Sequence, residues 1–355
     1  MTTHTGREAS LTGRRVLVLG AGGFIGSWMC RRLAEGGAHA TLAVRPSGGD
    51  GDGDAKRASG MTLAGGMSAG IAAGETVSID LIEPGAVDRL VRETRPEVIF
   101  NLVGYGVDRT ERDPAFAQRL NADLVAELAK AAERLTAGDW AGQHLVHVGS
   151  ALEYGGVDGD LDEAGPVRPN NSYGRTKLAG TQAVLDAVAA ERGVRGVVAR
   201  LFTVYGPGEH AGRLLPSIIE AARSGSCLEL TSGVQRRDFT YVGDVAEGLW
   251  RLASVREPIP TAVNLATGSL TSVREFALAA SSAAGLPTER LAFGSLPTRE
   301  EEMQHGPVSI ARLQRYTEWR PPTGVVEGIR RTLAELAAFG REGGQQRQRR
   351  VSDAR

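Results

Sequence analysis

Val16-Leu17-Val18-Leu19-Gly20-Ala21-Gly22-Gly23-Phe24-Ile25-Gly26 is the stretch on which the fold turns. Four apolar residues in succession suit a strand buried on both faces, and the residues from Phe24 onward carry helical spacing. The glycines at 20, 23 and 26 therefore fall between a strand and a helix. Without a Cβ, glycine lets the backbone turn sharply and approach a pyrophosphate, whose charge then meets the unpaired N–H groups and positive dipole end of the helix. A glycine cluster alone would indicate only a tight turn. Its placement after the first strand points to a dinucleotide site with Gly20, Gly23, Phe24, Ile25 and Gly26 at the cofactor.

Working outward, short apolar runs at 41–44, 77–79, 98–102, 145–148 and 197–201 alternate with Ala/Leu/Arg/Glu-rich segments of helical spacing at 24–35, 123–135 and 178–192. This alternation predicts an α/β fold, a Rossmann-type doubly wound parallel sheet covered on both sides, with a smaller C-terminal substrate-binding domain. The dinucleotide domain is expected over 1–201 plus about 240–268, and the smaller domain over about 202–239 plus 269–340. Residues 46–74 are rich in Gly, Ser and Asp without periodicity and predict a flexible insertion, while the polar, basic segment 341–355 predicts a disordered tail.

Lys plus Arg number 41 against 42 Asp plus Glu in 355 residues, a net charge of −1. That balance offers no electrostatic footprint for nucleic acid or an anionic membrane, so the expected partner is a small molecule. Cys30 and Cys227 are too few for a disulfide framework and are expected as buried free thiols in a reducing cytoplasm. No apolar run approaches the roughly 20 residues of a membrane span, and the first residues lack the apolar core of a signal peptide. No metal is expected. His144 and His147 stand three apart in a strand and so face opposite ways.

Cofactor preference is read at the end of the second strand, where NAD sites commonly place a carboxylate on the ribose 2'-hydroxyl. Here the sequence is Val44-Arg45-Pro46. Arg45 suits a 2'-phosphate, so NADP(H) is favoured, with NAD(H) possible if Asp50 or Asp52 folds back.

Tyr173-Gly174-Arg175-Thr176-Lys177 opens a helical segment, placing Tyr173 and Lys177 on one face about 6 Å apart. A tyrosine of pKa about 10 becomes a useful acid–base group only when tuned by a neighbouring charge, which Lys177 can supply. Upstream, Gly149-Ser150-Ala151-Leu152-Glu153-Tyr154-Gly155 follows a predicted strand. Together with the glycine spacing, these segments resemble the extended short-chain dehydrogenase/reductase family, in its nucleotide-sugar epimerase/dehydratase branch. Asp162-Glu163, 200–207 and 237–246 follow in the family's order, so the resemblance spans about 14–335.

The resemblance implies Ser150, Tyr173 and Lys177 as catalytic residues, with Ser150 holding the reacting oxygen. It also implies cofactor contacts at Asp80, Leu81 and Leu102, substrate contacts at Ser150, Arg213, Arg237 and Arg299, and a homodimer formed by helices near 124–135 and 178–188. Two departures narrow the chemistry. Ala151 and Leu152 replace the acid pair that 4,6-dehydratases use, with Glu153 one position too late, and Thr203 replaces an Asn found in some epimerases. The leading expectation is an NADPH-dependent reductase of a nucleotide-linked 4-keto-6-deoxyhexose. A 4-epimerase with retained NAD is the alternative, and a redox-silent nucleotide sensor is a third class.

Overall fold

The computed structural model describes residues 8–46, 74–107, 110–156, 159–190, 192–259, 262–297 and 306–352, with side chains to 338. The strands are β1 (Arg15–Leu19), β2 (His39–Val44), β3 (Gly74–Ser78), β4 (Val98–Asn101), β5 (Leu145–Ser150), β6 (Gly196–Leu201), β7 (Thr203–Tyr205), β8 (Leu228–Leu230), β9 (Arg236–Tyr241), β10 (Ala262–Leu265), β11 (Leu270–Ser272) and β12 (Leu291–Phe293). The principal helices are α1 (Phe24–Glu35), α2 (Ala86–Thr94), α3 (Pro114–Gln118), α4 (Leu124–Ala132), α5 (Ser172–Ala189), α6 (Leu214–Ser224), α7 (Val242–Ser254), α8 (Val273–Ala284), α9 (Ala311–Thr317) and α10 (Val325–Ser352).

Seven strands form one parallel sheet in the order β3-β2-β1-β4-β5-β6-β10. This is the doubly wound sheet that the alternation of strands and helices predicts. Side chains alternate along a strand. Val16 and Val18 accordingly enter one core with Met29 and Leu33 of α1 and Leu249 of α7, whereas Leu17 and Leu19 enter the opposite core with Leu90 of α2, Leu128 of α4 and Val184 of α5. Both faces need apolar cover, which is why β1 reads as a continuous apolar run. Strand order reverses between β1 and β4, opening a crevice at their C-terminal ends where such sheets bind ligands.

After β6 the chain builds smaller sheets, β11-β9-β7 and β12-β8. Their core is aromatic: Phe239 stacks on Phe276 with centroids 4.2 Å apart, and Tyr205 meets Phe276 edge-on at 5.1 Å. Residues 242–265 then return α7 and β10 to the large sheet. Buried acids connect the two parts. Asp238 accepts the Thr267 and Gly268 N–H groups at 3.0 and 2.8 Å, and Asp244 accepts the Thr323 N–H and hydroxyl, both at 2.8 Å.

Three local expectations are corrected or moved. The third strand begins at Gly74, three residues before its apolar run; the rest of the expected insertion, 47–73, lies outside the described residues. The tail expected to be disordered from 341 continues α10 as helical backbone to Ser352. Gln, Arg and Glu have good helix propensity, and a helix already packed on the domain extends without needing an apolar face of its own. Cys30 is buried, but Cys227 is exposed in the turn after α6.

Candidate active site

The crevice begins at the turn after β1. Gly20 has φ +78°, and a Cβ there would stand 3.0 Å from the Leu102 backbone. A Cβ on Gly26 would stand 2.0 Å from the Gly20 carbonyl oxygen, so only glycine lets α1 begin this close to the turn. Gly23 caps α1 without a side-chain bond. The N–H groups of Phe24, Ile25 and Gly26 are therefore among the helix-start donors that lack intrahelical acceptors. Leu102, half-buried, bonds through its N–H to Leu19 O at 3.1 Å and borders the turn. Arg45 is exposed immediately after β2. Asp80 Oδ1 accepts the Ile82 N–H at 3.1 Å, and Leu81 joins the edge of the second core.

The second part of the crevice lies at the end of β5. Asn171 caps α5 by accepting the Gly174 N–H at 2.7 Å, which fixes Tyr173 in the first turn and Lys177 one turn later. The Ser150 side chain lies close enough to the Tyr173 phenol to bear on its ionisation. The structure thus brings Ser150, Tyr173 and Lys177 together from two elements. Burial pushes the phenol well above its ordinary range; Glu153 and Glu111 push the same way, while Ser150 and the Arg213 guanidinium pull it down. Lys177 is 2% exposed. Burial lowers its ammonium from 10.5 to about 8, and Glu153 resists that change.

Several site residues escaped sequence reasoning. Gly106, at φ +102°, lies so close to Tyr173 that a Cβ would stand 3.0 Å from the ring, and its N–H donates to Glu111 Oε2 at 2.7 Å. Asn121 lies in a wide π-helical turn, Arg119–Asp123. It accepts the Tyr105 N–H at 2.9 Å and donates to Tyr105 O at 2.7 Å and to Thr176 Oγ1 at 3.0 Å, connecting this loop to α5. The sequence signal for Gly106 is its proximity to the end of β4; Asn121, twenty residues beyond that strand, carries none. His147, fully buried on β5, accepts from Asn101 Nδ2 at 3.1 Å, the amide orientation being set by the Val103 N–H on Asn101 Oδ1.

The expected substrate arginines fare differently. Arg213 precedes α6 and donates from Nε to Glu209 Oε1 at 3.3 Å; its side chain is 43% exposed and that of Glu209 6%. Its charge bears on Tyr173, pulling the phenol down. Arg237 is half-buried in β9, opposite Thr271. Arg299 lies outside the described residues.

Ala151 is buried and Leu152 half-buried. Glu153 turns into the protein with no exposed side-chain surface and pairs with Arg200 at 2.8 Å. Arg200 in turn lies 4.7 Å from the centroid of the Tyr154 ring, whose hydroxyl donates to Asn264 at 2.8 Å. Glu163 accepts the Asn264 N–H at 2.8 Å. Many of the segments that carried the resemblance thus contain scaffold brackets. Among the described residues no group of three or more His, Cys, Asp or Glu is arranged to hold a metal ion, and no helix is long and apolar enough to cross a membrane.

Comparison with known proteins agrees with this arrangement. The model of the NAD dependent epimerase/dehydratase family matches residues 16–266. A dTDP-6-deoxy-L-talose 4-dehydrogenase (NAD(P)(+)) from Kitasatospora kifunensis is 30% identical over 330 residues, covering 89% of this chain and 93% of that protein. A UDP-glucose 4-epimerase from Mycolicibacterium smegmatis is 29% identical over 90% of this chain and 97% of its own length. Among solved structures, MoeE5 in complex with UDP-glucuronic acid and NAD is 26% identical with a TM-score of 0.73, covering 93% of this chain and 99% of that one. The chain belongs to the NAD dependent epimerase/dehydratase family and is an NAD(P)-dependent nucleotide-sugar enzyme of the extended short-chain dehydrogenase/reductase type.

Proposed function

We propose that this chain is an NADPH-dependent reductase of a nucleotide-linked 4-keto-6-deoxyhexose. The observation that carries this reading is the pair of aprotic side chains that follows Ser150 at the end of β5. Ala151 and Leu152 hold no transferable proton, and Glu153 is turned inside against Arg200. Water elimination calls for an additional acid and base, whereas reduction of one carbonyl needs one proton donor.

The glycine turn fits a dinucleotide, because Gly26 lets α1 start directly against the Gly20 carbonyl and its first-turn N–H groups carry no side-chain cap. A reduced nicotinamide, when bound, would supply the hydride that reduction of a sugar carbonyl requires. Tyr173 donates its phenolic proton to the developing alkoxide, and Ser150 bonds the same oxygen. Lys177 holds the nicotinamide ribose and stabilises the phenolate left behind. Arg45 pairs with the 2'-phosphate, favouring NADP(H) over NAD(H). Arg213, Arg237 and Arg299 are assigned to the substrate diphosphate, whose geometry guanidinium matches. A cytoplasmic homodimer joined through α4 and α5 completes the assignment.

Support for redox chemistry at C4 comes from the relative named as a 4-dehydrogenase, whose name also allows either cofactor. The second reading, a 4-epimerase with retained NAD, is favoured by the likeness to a 4-epimerase across nearly the full chain. Incubation with a panel of nucleotide-linked 4-keto-6-deoxy sugars and each reduced cofactor separates the two. The expected result is a 4-hydroxy product with oxidation of NADPH. Copurified NAD and interconversion of 4-hydroxy nucleotide sugars at C4 without added cofactor would replace the reductase with the epimerase.

A further inference from the structure

The Glu153 carboxylate stands behind Ser150, Tyr173 and Lys177, and no step assigned above uses it. Oε1 accepts the Ser150 N–H at 2.7 Å, while Oε2 accepts the Thr181 hydroxyl at 3.0 Å and Arg200 Nε at 2.8 Å. Thr181 is one turn beyond Lys177 on α5, so one carboxylate joins the end of β5 to both α5 and β6. Gly149 makes room for it, since a Cβ there would stand 2.6 Å from Oε1. The Glu153 and Arg200 side chains are only 0% and 5% exposed. An ion pair this deep adds little net stability, because desolvating both charges offsets their attraction. Its location beside the reacting group asks for another role.

We propose that Glu153 is a positioning residue for the proton-transfer group, fixing Ser150 through its backbone, tying α5 to the end of β5 through Thr181, and placing a buried carboxylate behind Tyr173 and Lys177. The inference rests on the assignment of those three residues as the reacting group. Other charged or titratable groups also face them: Glu111 from the loop after β4 and Arg213 ahead of α6 act on Tyr173, His147 of β5 lies near Lys177, and Arg200 of β6 backs Glu153. Glu153 is the one that acts on both Tyr173 and Lys177. Ketone reduction needs the proton on Tyr173 and the charge on Lys177. A negative charge at this place raises the pH at which either of the two loses its proton.

The test is a pH titration by NMR of the full chain carrying ¹³C-labelled tyrosine and lysine side chains, with signals assigned through Tyr173→Phe and Lys177→Arg. In Glu153→Gln, which keeps shape and loses charge, the first proton is expected to leave the pair about one pH unit lower than in the wild type. Glu153→Asp keeps the charge and shortens the reach to the Ser150 N–H; its titration stays near the wild type while turnover falls. A scaffold role alone would lower turnover without moving either titration. If Glu153→Gln leaves Arg200 unpaired and the chain fails to fold, Glu153→Gln with Arg200→Met removes both buried charges, and the same downward direction is expected. An unmoved titration in the folded variant overturns the proposal. Near-wild-type turnover in Tyr173→Phe would instead overturn the functional assignment, so the two failures are distinguishable.

Discussion

The turn after β1 and the end of β5 form adjacent parts of one crevice, yet they are built from different material. At the turn, the decisive contacts are between backbone atoms, with the Gly20 carbonyl meeting the space where any Gly26 side chain would begin. At the end of β5, they are between side chains from distant segments: Thr181 with Glu153, Glu153 with Arg200, and Asn121 with Thr176. A backbone site depends on a hard steric limit and tolerates no substitution at the contact. The side-chain site depends on burial and charge, so its properties shift by degrees.

That difference is tested most severely by Gly26→Ala. The added Cβ must move the Gly20 carbonyl, and the variant is expected to lose measurable dinucleotide binding with a stability loss near the upper end of about 1–3 kcal/mol. Calorimetric titration with NADPH and thermal unfolding measure the two effects. Retained binding would mean that the turn yields, and the contrast between a hard and a graded site would fail.

Tyr173→Phe probes the graded site. It removes the proposed proton donor but little volume, so turnover is expected to fall by about 10²-fold or more while cofactor affinity stays nearly constant. Single-turnover assays with a reducible substrate from the panel check the first effect, and equilibrium titration checks the second.

Arg45→Ala tests the outer margin of the backbone site, where one exposed charge is assigned to cofactor choice. Loss of a hydrogen bond to a charged group, about 1.5–3 kcal/mol, is expected to weaken NADPH binding by roughly one to two orders of magnitude and leave NADH binding almost unchanged. Adding Val44→Asp should push preference further toward NADH. Equal or tighter wild-type affinity for NADH would reverse the assignment.

The smallest expected effect concerns Glu209, whose carboxyl burial pushes up from 4.5 to about 7 against the opposing pull of Arg213. Between those values the folded chain holds a proton that the unfolded chain has released, so this group's contribution to stability falls as pH rises through that window. Glu209→Gln removes the dependence. Thermal unfolding at pH 5 and pH 8 is expected to show a smaller fall in the variant than in the wild type, and an equal fall would show that Arg213 neutralises Glu209 fully.

The same contrast explains which parts of the molecule were readable in advance. The spacing of Gly20, Gly23 and Gly26 and the apolar runs of β1, β4, β5 and β6 are short-range patterns, and the large sheet follows them. Tyr173 and Lys177 were readable as an i, i+4 pair on a helix. Glu153 was readable only as an acid displaced from the position dehydratases use. Nothing local indicated that it turns inward to Arg200, forty-seven residues away in sequence. Glu111 and Asn121 were missed because their partners, the Gly106 N–H and the Tyr105 backbone, become visible only when the loop closes over α5.

The sequence by itself determined the parallel sheet, the glycine turn and the tyrosine–lysine spacing, because backbone sterics and side-chain periodicity act within a few residues. Tertiary structure decided which charges bear on the phenol. Burial pushes Tyr173 up and Lys177 down, with Glu153, Glu111 and Arg213 arriving from three separate segments to adjust that balance. Electrostatic effects depend on distance and solvent access in space, and neither can be read from distance along the chain.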